Sequence, residues 1–146
     1  MDAYRATGGE AARPYWLALR AMACQKAGQP EEGLTLLAEA LATAHTTGEG
    51  WWEAELDRLR GELLSQQAVG QPGEAATWLQ QALAVAHRQE ATALELRAAM
   101  SLARLWQQQG QHAEAYHLLA PIYGWFTEGF DTADLQEAKA LLEALA

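Results

Sequence analysis

Apolar residues along this chain recur at intervals of three or four positions, which is the period of an amphipathic helix. The pattern is clear where Leu34, Leu37, Ala38 and Leu41 fall on one predicted face. Polar or glycine-containing segments separate such stripes and mark where helices end. The pattern predicts seven helices, over about 10–27 (starting between 10 and 14), 31–45, 51–68, 74–88, 91–109, 112–123 and 131–145.

Three of the predicted loops begin with the same two residues, Gly-Gln, at Gly28, Gly70 and Gly110. The glycines are 42 and 40 residues apart. A unit of this length that recurs predicts a helical-repeat array, in which each helix pair stacks on the next. We therefore expect a tail at 1–9 and one repeat domain at 10–146, divided into units of about 10–50, 51–90 and 91–130 and a capping helix at about 131–145.

The kind of hydrophobic residue separates helix from sheet. Valine occurs only at 69 and 85 and isoleucine only at 122, whereas alanine and leucine dominate. Strands favour β-branched side chains, and alanine and leucine favour helix. The predicted fold class is all-α.

The charge balance excludes several kinds of partner. The formal net charge is −9, and binding to nucleic acid or to an anionic membrane draws on clustered basic side chains. We expect neither partner. No secretory signal or apolar run of ~20 residues is visible, and a single cysteine, Cys24, forms no internal disulfide. A cytoplasmic location fits these features.

Alignment of the three units by their loops brings Leu37, Leu79 and Leu119 into register. Small residues precede them at equivalent positions, where they let the second helix approach the first. This pattern resembles the tetratricopeptide (TPR) repeat, whose unit is usually ~34 residues. The resemblance implies a right-handed α-solenoid of three helix pairs plus the C-terminal capping helix, with each pair longer by about two helical turns.

A closer resemblance lies in the segment 123–132, Tyr-Gly-Trp-Phe-Thr-Glu-Gly-Phe-Asp-Thr, and in the runs 13–19, 55–64 and 94–106. These look like the C-terminal TPR-like region of bacterial multidomain regulators that carry a signalling ATPase, often with a class III adenylate/guanylate cyclase or a DNA-binding domain upstream. No phosphate-binding loop or cyclase carboxylate set maps onto this chain. The resemblance therefore implies a non-enzymatic scaffold or sensor, with no cofactor, that binds a protein, a peptide or upstream domains of the same polypeptide.

In TPR-like arrays the first helix of each pair lines the concave groove. With Ala21, Gly61 and Ala103 as close-packing positions, the groove candidates are Tyr15, Met22, Glu55, Arg58, Glu62, Arg97 and Arg104. The three arginines would bind carboxylates of a partner, since a guanidinium group does so bidentately. The alternative is that each arginine pairs with a nearby glutamate, as Arg58 would with Glu62 one turn later.

Adjacent tryptophans, Trp51 and Trp52, open the third predicted helix. Neighbours on a helix point about 100° apart, so one would pack and the other would form an exposed contact. The alternative is that the pair fixes the start of that helix.

The histidines give no metal site. His45 and His87 occupy equivalent repeat positions, where helix packing would hold them about 10 Å apart. Glu114 and His117 form a Glu-x-x-His motif once, and carboxylate-bridged di-iron bundles need it twice.

Two alternatives to the scaffold remain. The first helix pair lacks a preceding repeat to cover it, so the chain would form a homodimer through that pair. The aromatic segment 121–130 would instead form the site of a small-molecule sensor.

Overall fold

The computed structural model describes residues 13–47, 53–66, 72–129 and 132–146. Within these residues the chain is all-α, with seven helices and no strand. The helices are α1 Arg13–Lys26, α2 Pro30–Thr47, α3 Glu53–Gln66, α4 Pro72–Arg88, α5 Thr92–Gln108, α6 His112–Gly124 and α7 Ala133–Leu145.

Two helices begin at a proline, one or two residues before the predicted start. Helix α2 starts at Pro30 and α4 at Pro72, because the first turn of a helix needs no N–H donor from its first residue. The other ends agree with the predicted ones within a few residues where they are described. Trp51 and Trp52 lie outside the described residues.

Three of the helix connections share one hydrogen-bonding pattern. In each, a backbone N–H reaches the carbonyl five residues earlier, which satisfies an acceptor that the helix end leaves open. The three bonds are Gln29 N to Cys24 O at 2.8 Å, Ala91 N to Ala86 O at 2.9 Å and Gln111 N to Trp106 O at 2.8 Å.

The residue before each of these donors adopts a left-handed backbone conformation. It is Gly28 with φ 74°, Glu90 with φ 56° and Gly110 with φ 79°. Because Glu90 stands where the other two connections have glycine, the shared geometry of the α4–α5 connection was not predictable from its residue types.

Packing follows two rules along the chain. Each helix contacts the next, and in addition α1 contacts α3, α3 contacts α5 and α5 contacts α7. We call α1, α3, α5 and α7 the odd-numbered helices.

The core between these helices is built from leucine and alanine. One cluster joins α1, α2 and α3, and another joins α5, α6 and α7. The close-packing residues Ala21 and Ala103 are fully buried, as expected. No described helix has both the length and the apolar character needed to cross a membrane.

Candidate binding surface

A group of ion pairs begins on α3, where Arg58 lies between two glutamates of its own helix face. Arg58 donates from Nη2 and Nε to the two carboxylate oxygens of Glu55, at 2.6 and 3.1 Å. Its Nη1 donates to Glu62 Oε1 at 2.9 Å. The spacings of three and four residues place all three side chains on one stripe. The alternative interpretation of the sequence, in which Arg58 pairs with Glu62, is confirmed.

Glu62 connects α3 to two neighbouring helices. Its Oε1 accepts a hydrogen bond of 2.6 Å from Ser101 Oγ of α5, and its Oε2 accepts one of 2.9 Å from Gln25 Nε2 of α1. Arg58 Nη1 also donates to Ser101 Oγ at 3.4 Å. A single carboxylate therefore holds groups from three odd-numbered helices.

The remaining two arginines connect α5 to α7. Arg97 donates from Nε to Asp134 Oδ2 at 2.8 Å, and its Nη1 lies 3.6 Å from Glu55 Oε1. Arg104 donates from Nη2 to Glu137 Oε2 at 3.3 Å. Polar contacts thus run across all four odd-numbered helices. We call this set the odd-helix network: Gln25, Glu55, Arg58, Glu62, Arg97, Ser101, Arg104, Asp134 and Glu137.

The centre of the network is charged although it is largely buried. Burial opposes the charge of Arg58, but its hydrogen bonds to Glu55 and the charges of Glu55 and Glu62 outweigh that effect and raise its pKa. Burial likewise opposes ionisation of Glu62. The charge of Arg58 and the hydrogen bonds from Ser101 and Gln25 outweigh it, so the pKa of Glu62 lies below its ordinary value. Both groups are ionised at neutral pH.

The three arginines differ in how far a partner could reach them. The side chain of Arg58 is 12% exposed and its donors bind Glu55, Glu62 and Ser101. Arg97 is 43% and Arg104 42% exposed. A guanidinium group has five N–H donors, so these two keep donors beyond those that the network uses. The accessible cations of the surface are therefore Arg97 and Arg104, two turns apart on α5.

Other predicted contact residues lie apart from this network or outside the described part of the chain. Met22 is partly buried against the core cluster of α1, α2 and α3. Tyr15 belongs to α1, but its side chain lies outside the described residues, as do Trp51 and Trp52.

The aromatic segment 121–130 divides between core and surface. Tyr123 and Phe126 pack partly buried against the cluster that joins α5, α6 and α7. The side chain of Trp125 is about half exposed, and Phe130 lies outside the described residues.

Four members of the network were not among the sequence candidates: Gln25, Ser101, Asp134 and Glu137. Ser101 was predictable from spacing, because it stands between Arg97 and Arg104 on one helix face, four residues after the first and three before the second. Asp134 lies in the first turn of α7. The N-cap is Thr132, whose hydroxyl accepts from Leu135 N at 3.4 Å.

The described residues contain no group of three or more His, Cys, Asp or Glu side chains arranged to hold a metal ion. His87 Nδ1 instead lies 3.2 Å from Glu95 Oε2. The chain matches no protein-family model and no curated protein.

Proposed function

We propose that this chain is a non-catalytic TPR-like α-solenoid that binds a protein or peptide segment along its odd-numbered helices. The observation that supports it is the odd-helix network, which carries polar contacts continuously across α1, α3, α5 and α7. The contacts of each odd-numbered helix with the next support a stacked arrangement of helix pairs.

The chemistry of the network favours recognition over simple stabilisation. Buried ion pairs often stabilise a fold no better than well-packed apolar residues would. They do fix the positions of the groups around them. In the odd-helix network the exposed members include the half-exposed guanidinium groups of Arg97 and Arg104. A surface whose groups are already positioned binds a partner with a small cost in ordering.

The partner in this proposal is a protein or peptide with hydrogen-bond acceptors, or an upstream domain of the same polypeptide. The sequence resemblance supports a setting in a cytoplasmic bacterial signalling or transcriptional regulator. Such a partner would use the free donors of Arg97 and Arg104 while Arg58 holds the helices beneath.

The test is selection of binders from a displayed peptide library, followed by affinity measurement on variants. Loss of a hydrogen bond to a charged group costs about 1.5–3 kcal/mol, so Arg97→Gln with Arg104→Gln should weaken binding by more than tenfold. Arg88→Gln is the matched control, because Arg88 is an exposed arginine of α4 outside the network. Equal affinities for the double variant and the control would contradict the proposal.

A second candidate function, self-association through α1, is favoured by one exposed face. Leu19 is 39% exposed there and Trp16 lies three residues earlier on the same side, 52% exposed. A second copy of the chain would cover this face in a two-fold dimer.

Sedimentation analysis tests this second candidate. Leu19→Glu should convert a dimer to a monomer. Tyr116→Glu is the control, because Tyr116 is a similarly exposed apolar residue of α6, at 37%. A wild-type chain that stays monomeric at all concentrations would exclude self-association.

A further inference from the structure

Helix α3 also carries a buried carboxyl group that the odd-helix network does not use. Asp57 is only 1% exposed, and the side-chain amide of Gln81 on α4 hydrogen-bonds it. Its Oδ2 has no hydrogen-bond partner among the described residues. An ionised carboxylate with an unpaired oxygen is costly in such a place, whereas a protonated one is much less so.

The cation of α3 whose charge acts on Asp57 is Arg60, which contacts a different residue. Arg60 lies one turn after Asp57, but its guanidinium carbon sits 4.3 Å from the ring centre of Trp78 on α4. Its Nε is buried and unpaired. The contact with the aromatic face is favourable in itself, and within the described residues Arg60 makes no ion pair with Asp57.

The electrostatics agree with this geometry. Burial first, and then the negative charge of Glu53, raise the pKa of Asp57 to about 7, although the charge of Arg60 and the hydrogen bond from Gln81 act in the opposite direction. Glu53 and Arg60 both belong to α3. From α4, the group that acts on Asp57 is the uncharged amide of Gln81.

Asp57 is almost completely buried, and the contact between α3 and α4 one turn away is close. A Cβ at Gly61, four residues later in α3, would lie 3.1 Å from the carbonyl oxygen of Ala75 in α4. Hydration of an ionised Asp57 therefore requires the two helices to separate locally.

We propose that Asp57 makes the packing of α3 against α4 respond to pH, so that the neutral carboxyl favours the closed pair and the carboxylate favours local opening. This inference does not depend on the proposed binding function. It concerns the contact of α3 with α4, whereas the odd-helix network joins α3 to α1 and α5. It adds a device by which a rise from acidic to neutral pH loosens the contact between α3 and α4.

The direction follows from the two protonation states. An exposed aspartate has a pKa of about 3.9, so in the open form Asp57 loses its proton well below neutrality. Between about pH 4 and 7 the closed form holds a proton that the open form lacks. Opening therefore becomes more favourable as the pH rises, by at most tenfold per unit, and stops changing above about pH 8.

Amide hydrogen exchange from pH 5 to 8 tests the proposal, with each rate divided by its intrinsic rate. Protection of α3 and α4 amides should fall more than tenfold over this range in the wild-type chain. In the Asp57→Asn variant the side chain stays neutral, so protection of the α3 and α4 amides should not change with pH. Asp57→Leu provides a second neutral side chain of similar size if asparagine is not tolerated.

The control is His87→Gln, which removes an exposed histidine of α4 that contacts Glu95 of α5. This variant should keep the wild-type loss of protection. A wild-type chain with constant protection, or neutral variants that lose it as the wild type does, would overturn the proposal.

Discussion

A β-carbon built at Gly61 would lie 2.6 Å from Cγ of Leu79, closer than two carbon atoms can pack. Gly61 is on α3 and Leu79 on α4, and Leu79 is almost completely buried. The bare backbone at Gly61 is therefore the surface on which the leucine rests. Close contact between these two helices depends on the absence of a side chain at this position.

Gly61→Ala should destabilise the chain by about 1–2 kcal/mol. Overpacking costs ~1–3 kcal/mol, and the better helix propensity of alanine returns up to ~1 kcal/mol. Urea unfolding measures the difference. Gly73→Ala is the matched control, since a Cβ there meets nothing within 4 Å and the change should leave stability equal or slightly higher. If both variants unfold at the same midpoint, the close contact does not limit packing.

Glu90→Gly should stabilise the chain by about 1 kcal/mol. Glu90 holds a left-handed conformation, with φ 56°, which costs a residue with a side chain roughly 1–2 kcal/mol. Glycine adopts it freely, although it also makes the unfolded chain more flexible. Thermal unfolding provides the measurement. The converse change Gly110→Ala, at φ 79°, should destabilise by a similar amount, and a Glu90→Gly variant less stable than the wild type would contradict this explanation.

The sequence predicted structural features correctly where a single residue type is characteristic of the feature. The leucine and alanine stripes predicted the helices, and Gly28 and Gly110 marked two connections. The α4–α5 connection has the same backbone geometry with Glu90, but a glutamate does not predict a left-handed conformation. In the same way, i to i+4 spacing predicted the pair of Arg58 with Glu62. The contacts from Gln25 and Asp134 join helices far apart in sequence, so their partners depended on the packing itself.

Arg58→Gln should destabilise the chain by about 2–4 kcal/mol. The change leaves the buried carboxylates of Glu55 and Glu62 without their shared cation, and removing one partner of a buried pair costs several kcal/mol. Arg104→Gln is the matched control, because Arg104 and its partner Glu137 are both more than 40% exposed, and exposed pairs contribute ~0–1 kcal/mol. Chemical unfolding of the two variants compares them directly. Equal losses would show that burial of Arg58 does not set the strength of its pairing.

Glu62 should make the stability of the chain fall in acid. Its pKa is lowered in the folded state, so its contribution is complete above the unfolded value of about 4.3. That contribution is lost as the pH falls through the lower folded value, because the unfolded chain then takes up the proton more readily. Glu62→Gln should reduce the loss of stability below pH 4. Glu137→Gln, a change at an exposed carboxylate, should retain it.

The pH dependence of stability due to Glu62 has the opposite sign to that due to Asp57. The two effects occupy adjoining pH ranges. The raised pKa of Asp57, about 7, stabilises the fold fully below about pH 4, and this contribution is lost as the pH rises towards 7. Together the two groups place maximum stability at mildly acidic pH. Asp57→Asn should remove the decline between pH 5 and 7 and move the maximum towards neutrality, as urea unfolding at a series of pH values would show. A maximum that stays in place in this variant would mean that groups other than Asp57 set the decline.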